Sequence, residues 1–441
     1  MTLPVLVAVT GAWEAPLAAA LERSDLKMVR RCVDLAEVLS AAAAGLARAA
    51  ILSSDLPHLD RQAVWQLLDH GVAVVALSDP AEGDVARGPG DRLARLGVQR
   101  ALPADAPAAE VAAAVVAAVR ELESAPPSHS GRHLGLPGPG LDLDQPDRGP
   151  PAPAAGPGRV VAVWGPAGAP GRTTVALNLA GELAARGESA LLVDADTYAA
   201  SVAQCLALLD ESAGIAAAVR AANQGALDAQ RLAALAPFAA PGLRVLTGLP
   251  RPQRWPELRP SGLSVVWDSA REVAAWTVID CGFCLEVDEE LSFDTSAPQR
   301  NGATLSALAA ADVVLAIGSA DPVGLQRLVR GLMDLRETVP PGAGPRVVVT
   351  RVRASAVGAS PLQRITDALL RYAGVSDVLG IPDDPAACDA ALLAGRTLAE
   401  CAPGSTARRA IAALAAELCG AADGRPSGRV GRRRLVRSRP G

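Results

Sequence analysis

The residues best placed to do chemistry together lie in one stretch, Gly165-Pro-Ala-Gly-Ala-Pro-Gly-Arg-Thr-Thr174. The apolar run 159–164 precedes it and the helical pattern VALNLAGELAARG follows. A Gly/Pro-rich turn between a buried strand and a helix aims backbone N–H groups at an anion, and the helix dipole adds attraction for phosphate. Thr173 stands where a hydroxyl would ligate Mg2+ beneath bound phosphates. Downstream, the run SALLVDAD carries Asp194 and Asp196, and AAWTVID ends in Asp280. Carboxylates at such strand ends orient a water or hold Mg2+ through water. The expected roles are therefore phosphate binding by Gly168, Ala169, Pro170, Gly171, Arg172, Thr173 and Thr174, metal binding by Thr173 and Asp280, and water positioning by Asp196 and Asp194.

The loop departs from the GxxxxGK[ST] pattern in two ways. Arg172 stands in place of the phosphate-binding lysine, and the first glycine, Gly165, falls one residue early. Lys27 is the sole lysine of the chain and lies far from the loop in sequence, so no other lysine substitutes. Arginine keeps the charge but replaces a compact ammonium with a planar fork. Binding is expected to survive this change better than γ-phosphate chemistry.

A chain of 441 residues is long for one domain, for which about 150 residues is a soft guide. Proline and glycine dominate 124–158, which reads as a flexible linker. It separates residues 1–123 from residues 159–420, and an Arg-rich, disordered tail is expected over 421–441. In the first part, apolar runs at 3–11, 27–33, 49–54, 72–78 and 98–102 alternate with Ala-rich helical stretches, as in a doubly wound α/β domain. In the second, RVVAVWG, SALLVDAD, LRVLTG, WTVIDCG, DVVLAIG, RVVVTRV and VLGIPDD read as buried strands of a mostly parallel sheet with helices on both faces.

With loop, DxD strand end and later strand-terminal Asp in this order, the second part resembles the MinD/ParA group of P-loop ATPases. Aligned on the double Thr, Gly168 and Ala169 fall on the first two loop glycines of that group and Gly171 on the third. Arg172 falls on its catalytic lysine and Ala167 on its signature lysine. The resemblance implies a P-loop NTPase fold, ATP and Mg2+ as ligands, ATP hydrolysis and a nucleotide-dependent homodimer. It also implies that a late strand, RVVVTRVR with Thr350, helps hold the adenine. A working receiver domain in the first part would need an acidic pair, a phospho-accepting Asp and a lysine. Thr10-Gly11, Ser53 and Leu102 stand there instead, with Asp55 two residues late. A degenerate receiver, a Pro-rich linker and a MinD-like domain together resemble the CpaE/TadZ proteins, which implies a positional or assembly role in Flp/Tad pilus, septum-site or secretion machinery. A catalytically dead nucleotide-binding scaffold and a DNA-partition ATPase are the alternatives.

Composition narrows the partners. Half of the chain is apolar but only 2% is aromatic, which is poor material for stacking single-stranded nucleic acid. The net charge is −5, yet Arg425–Gly441 holds seven arginines and no acid, so contact of this tail with anionic membrane or DNA is one expectation and mere solubilisation the other. Seven scattered cysteines suit reduced intracellular thiols, and the lone Cys281-Gly-Phe-Cys284 pair cannot complete a four-ligand zinc site. With neither a signal-peptide pattern nor an uncharged apolar run of membrane length, a cytoplasmic protein is expected, if peripheral then at the inner membrane face. Arg300 and Asn301, at a loop-to-helix start, are candidate switch residues.

Overall fold

The computed structural model describes residues 2–9, 17, 26–78, 89–124, 157–168, 170–208, 213–286, 298–338 and 344–422. The linker from 125 to 156, the tail from 423 onward and Ala169 of the loop lie outside these residues, as do Thr10 and Gly11.

Five strands, β1 (Leu3–Ala8), β2 (Leu26–Arg31), β3 (Ala49–Ser53), β4 (Ala73–Ser78) and β5 (Arg100–Pro103), form one sheet in the order β2-β1-β3-β4-β5. Every pairing in it is parallel. This is one of the common doubly wound orders. Alternation along each strand sends residues to two cores. Leu6, Ala50 and Val74 pack with helices α1 (Leu35–Ala43), α2 (Arg61–Asp69) and α3 (Pro89–Leu96), while Val5, Ile51 and Val75 pack with α4 (Ala108–Ser124). Asp34 and Asp60 start α1 and α2 by accepting the amides of Glu37 and Ala63. The run expected at 27–33 ends as a strand at Arg31, because at this sheet edge Cys32 turns inward and Val33 is exposed.

The second sheet has eight strands: β6 (Arg159–Trp164), β7 (Ala190–Ala195), β8 (Phe238–Ala240), β9 (Leu243–Leu246), β10 (Trp276–Cys281), β11 (Val313–Ser319), β12 (Arg346–Val352) and β13 (Val378–Pro382). Their order is β13-β12-β11-β6-β10-β7-β9-β8, and only β8 runs antiparallel. Helices cover both faces, as expected. Leu192 and Val163 face α5 (Arg172–Ala185) and Leu191 and Trp164 face α6 (Gly214–Asn223), α7 (Pro260–Val273), α8 (Gly302–Ala310), α9 (Pro322–Thr338) and α10 (Pro361–Ala373). The closing helix α11 (Thr406–Ala422) joins α5 on its side. From β6 the connections lead toward β7 on one side and, later, toward β11 on the other, which puts the topological switch point, where open α/β sheets take ligands, at the carboxyl end of β6.

The two sheets meet through helices. Arg61 of α2, also bonded within its own unit to the Arg95 carbonyl of α3 at 2.6 Å, donates across to the carbonyl of Ser261 at 3.0 Å, and the Ser261 hydroxyl donates to Gln62 at 2.5 Å. No helix among the described residues is long and apolar enough to cross a membrane.

Candidate functional site

The loop is shaped by its glycines. A Cβ on Gly165 would lie 2.4 Å from the Ile317 carbonyl oxygen, so glycine is what lets β6 leave the sheet this close to β11. Gly168 and Gly171 hold φ of +107° and +91°, in the left-handed region. Gly171 is also the N-cap of α5, and no side chain caps it, so the first-turn amides keep their donors for an anion or water. The resemblance put Thr350 near the base. Here its hydroxyl reaches the Pro170 carbonyl at 2.5 Å and that of Gly318 at 3.2 Å, and its methyl stands 3.4 Å from where a Cβ of Gly171 would be, so it ties the loop to β12.

Beneath the loop three strand ends converge. Asp280 on β10 lies in register with Asp194 on β7 and Val163 on β6. The Thr173 hydroxyl donates to Asp280 Oδ2 at 2.6 Å, while Asp280 Oδ1 is buried with no partner. Burial pushes the Asp280 carboxyl well above the usual carboxylate range, the charge of Asp194 adds to this, and the Thr173 hydrogen bond opposes it. Asp194 is pushed up to about 6 by burial, against the amides that it accepts. These come from Asp196 at 3.2 Å, Ser201 at 2.9 Å and Val202 at 3.0 Å. Asp194 therefore builds the turn after β7, and its oxygens are already engaged.

Asp196 differs. One oxygen accepts the amides of Tyr198 and Ala199, and the other meets Arg172 Nη2 at 3.2 Å. Arg172 Nη1 lies 3.2 Å from the Gly165 carbonyl and 3.3 Å from that of Pro166, and its Nε is buried without a partner. The guanidinium thus braces the loop from below. Of the two carboxylates expected to position water, Asp196 is the one joined to the loop.

The residues fit a nucleotide with Mg2+. Among the described residues no group of three or more His, Cys, Asp or Glu could hold a metal by itself. A threonine hydroxyl beside a carboxylate with an orphaned buried oxygen suits Mg2+, which keeps several waters and takes further oxygens from phosphates.

The side chains that surround Arg300 and Asn301 were not expected from the sequence. Tyr198, one of two tyrosines, donates to Asn301 Oδ1 at 2.7 Å, packs on Phe283 with centroids 4.7 Å apart and lies beneath the Arg300 guanidinium at 4.1 Å. The Thr197 hydroxyl donates to the Arg300 carbonyl at 3.1 Å. Arg300 and Asn301 are thereby linked to the turn that carries Asp196. The signal for Tyr198 was its place directly after the DADT strand end. Both members of the Cys281/Cys284 pair are free thiols, and burial pushes that of Cys281 upward. In the first sheet Ser53 is buried at the end of β3 and Leu102 is half-buried on β5.

No family model matches the chain, and no curated protein matches it. Solved structures do. The cell division ATPase MinD of Pyrococcus furiosus is 22% identical over 60% of this chain and 99% of its own, with a TM-score of 0.46. A ParA family ATPase from Chlorobium tepidum is 18% identical over 58% and 98%, with a TM-score of 0.49. The septum site-determining protein MinD from Pyrococcus horikoshii, complexed with Mg-ADP, is 19% identical over 61% and 99%, with a TM-score of 0.47.

Proposed function

We propose that this protein binds Mg-ATP at the Gly168–Thr174 loop and works as a MinD/ParA-like positional or assembly factor with slow turnover. The observation that carries the reading is the Thr173–Asp280 hydrogen bond beneath a loop of left-handed glycines at an uncapped helix start. The backbone there would cradle the phosphates, and Thr173 and Asp280 would hold Mg2+. When bound, the ion spreads the negative charge of the phosphates. Arg172 then has two anionic claimants, Asp196 and the phosphate chain. Moving toward phosphate frees one oxygen of Asp196 to orient a water, so occupancy is felt at the turn carrying Tyr198 and, through it, at Arg300 and Asn301. The finer role, in Flp/Tad pilus or septum-site machinery with a homodimer as the active form, rests on the resemblance to CpaE/TadZ proteins. The boundaries at 123, 158 and 420 are part of the same reading.

Phosphate release from ATP by the full chain tests the enzymatic part. Slow release that falls at least tenfold in Asp196→Asn is expected. A second reading, a nucleotide-binding scaffold without turnover, is favoured by the Arg172–Asp196 ion pair and the engaged oxygens of Asp194. It predicts ATP binding with no release, and release appearing in Ala167→Lys/Arg172→Lys.

A further inference from the structure

A cation outside the loop stands over it. Helix α9 is pinned to the sheet at two glycines where a side chain would collide: a Cβ on Gly331 would lie 2.8 Å from the Trp164 ring, and one on Gly318 would lie 2.5 Å from Leu328. This seating sets Arg327, exposed and next to Leu328, against the loop. Its Nη1 is 3.4 Å from the Ala167 carbonyl and would lie 2.0 Å from a Cβ on Gly168. Among the described residues no carboxylate pairs with it, whereas Arg172 is held by Asp196. Ala167 and Gly168 thus have a guanidinium beside them although the loop has no lysine.

We propose that Arg327 supplies the phosphate-binding positive charge at the mouth of the loop, gripping the polyphosphate of the bound nucleotide. The inference rests on the nucleotide-binding reading above. A planar fork on a solvent-exposed side chain can swing from the Ala167 carbonyl onto phosphate oxygens and bind two of them at once, which the neutral carbonyl cannot match. Gly168 serves this arrangement, since any larger residue would displace the guanidinium.

Calorimetric titration of the full chain with Mg-ATP and with inorganic tripolyphosphate tests it, using wild type, Arg327→Gln, Arg327→Lys and Arg330→Gln. Arg330 is exposed on the same helix and controls for the loss of one charge. Arg327→Gln should weaken both ligands about tenfold or more, Arg327→Lys should recover part of that loss, and Arg330→Gln should stay within about twofold. Melting temperatures without ligand should match wild type, because the side chain is exposed. Wild type that binds Mg-ATP with Arg327→Gln binding equally well would overturn the role of Arg327 and leave the nucleotide reading standing. Tighter binding by Arg327→Gln would also overturn it, showing the guanidinium to be an obstruction. Absence of Mg-ATP binding by wild type would overturn the nucleotide reading and the role of Arg327 together.

Discussion

Asp194 and Asp280 stand in register on neighbouring strands, each about 1% exposed, and the fold keeps them there against the cost of burying charge. The folded-state value of Asp194 lies near 6, above its unfolded value near 3.9, so the native state holds the extra proton between these limits. This contribution is fully present below about pH 4 and is lost as pH rises through about 6, an effect of roughly 3 kcal/mol at most. Urea unfolding across this range should show a wild-type slope that Asp194→Asn flattens. Equal slopes in the two proteins would remove the assignment. Asp280→Asn should raise the melting temperature of the free protein at pH 8, where burial disfavours the carboxylate, and should abolish Mg2+-dependent ATP binding. A lower melting temperature with binding intact would contradict this. The sequence shows these residues because strand-end carboxylates follow apolar runs. It does not show which oxygens are already taken, since the amides of Ser201 and Val202 reach Asp194 only once the turn closes. For the same reason Arg172 reads as a phosphate ligand in the sequence and is found bracing the loop from below.

At the scale of elements, α5 presents its start to the loop because its far side is fixed. Buried Asn178 donates to the Thr174 carbonyl and accepts the amide of Leu398 at 2.7 Å, and Glu182 pairs with Arg408 of α11 at 2.6 Å. Asn178→Ala leaves that amide unsatisfied and should cost about 1–3 kcal/mol in chemical unfolding. A change within about 0.5 kcal/mol would mean that the helix is held by its apolar face alone. Gly168→Ala forces a Cβ into a left-handed backbone against Arg327, and should lose ATP binding while destabilising the chain by about 1–3 kcal/mol. Apolar runs make every strand but β8 legible. That one is three residues with no β-branched side chain, paired only through the tight turn at Pro241-Gly242, where φ of Gly242 is +76°. Strand order escapes the sequence for a different reason: it puts β10 between β6 and β7, a long-range pairing that no local pattern encodes.

In the whole molecule, the first sheet is docked on the helices that frame the site. Arg61 and Gln62 hold Ser261 at the start of α7, and a Cβ on Gly302, the first residue of α8, would lie 2.9 Å from Pro260. Asn301, beside Gly302, meets Tyr198, so the docked sheet and the Asp196 turn share one chain of contacts. Arg61→Ala should weaken the junction by about 1–3 kcal/mol, seen by calorimetry as two separated unfolding transitions where wild type shows them merged. Unchanged transitions would show the contact to be incidental. Whether the loop takes the phosphates of Mg-ATP is decided by titrating the intact protein with ATP at fixed Mg2+ and again in excess chelator. One site per chain, saturable with Mg2+ and strongly weakened without it, is the predicted result. Absence of binding at millimolar ATP in both conditions would rule out a phosphate-binding loop and leave it as architecture.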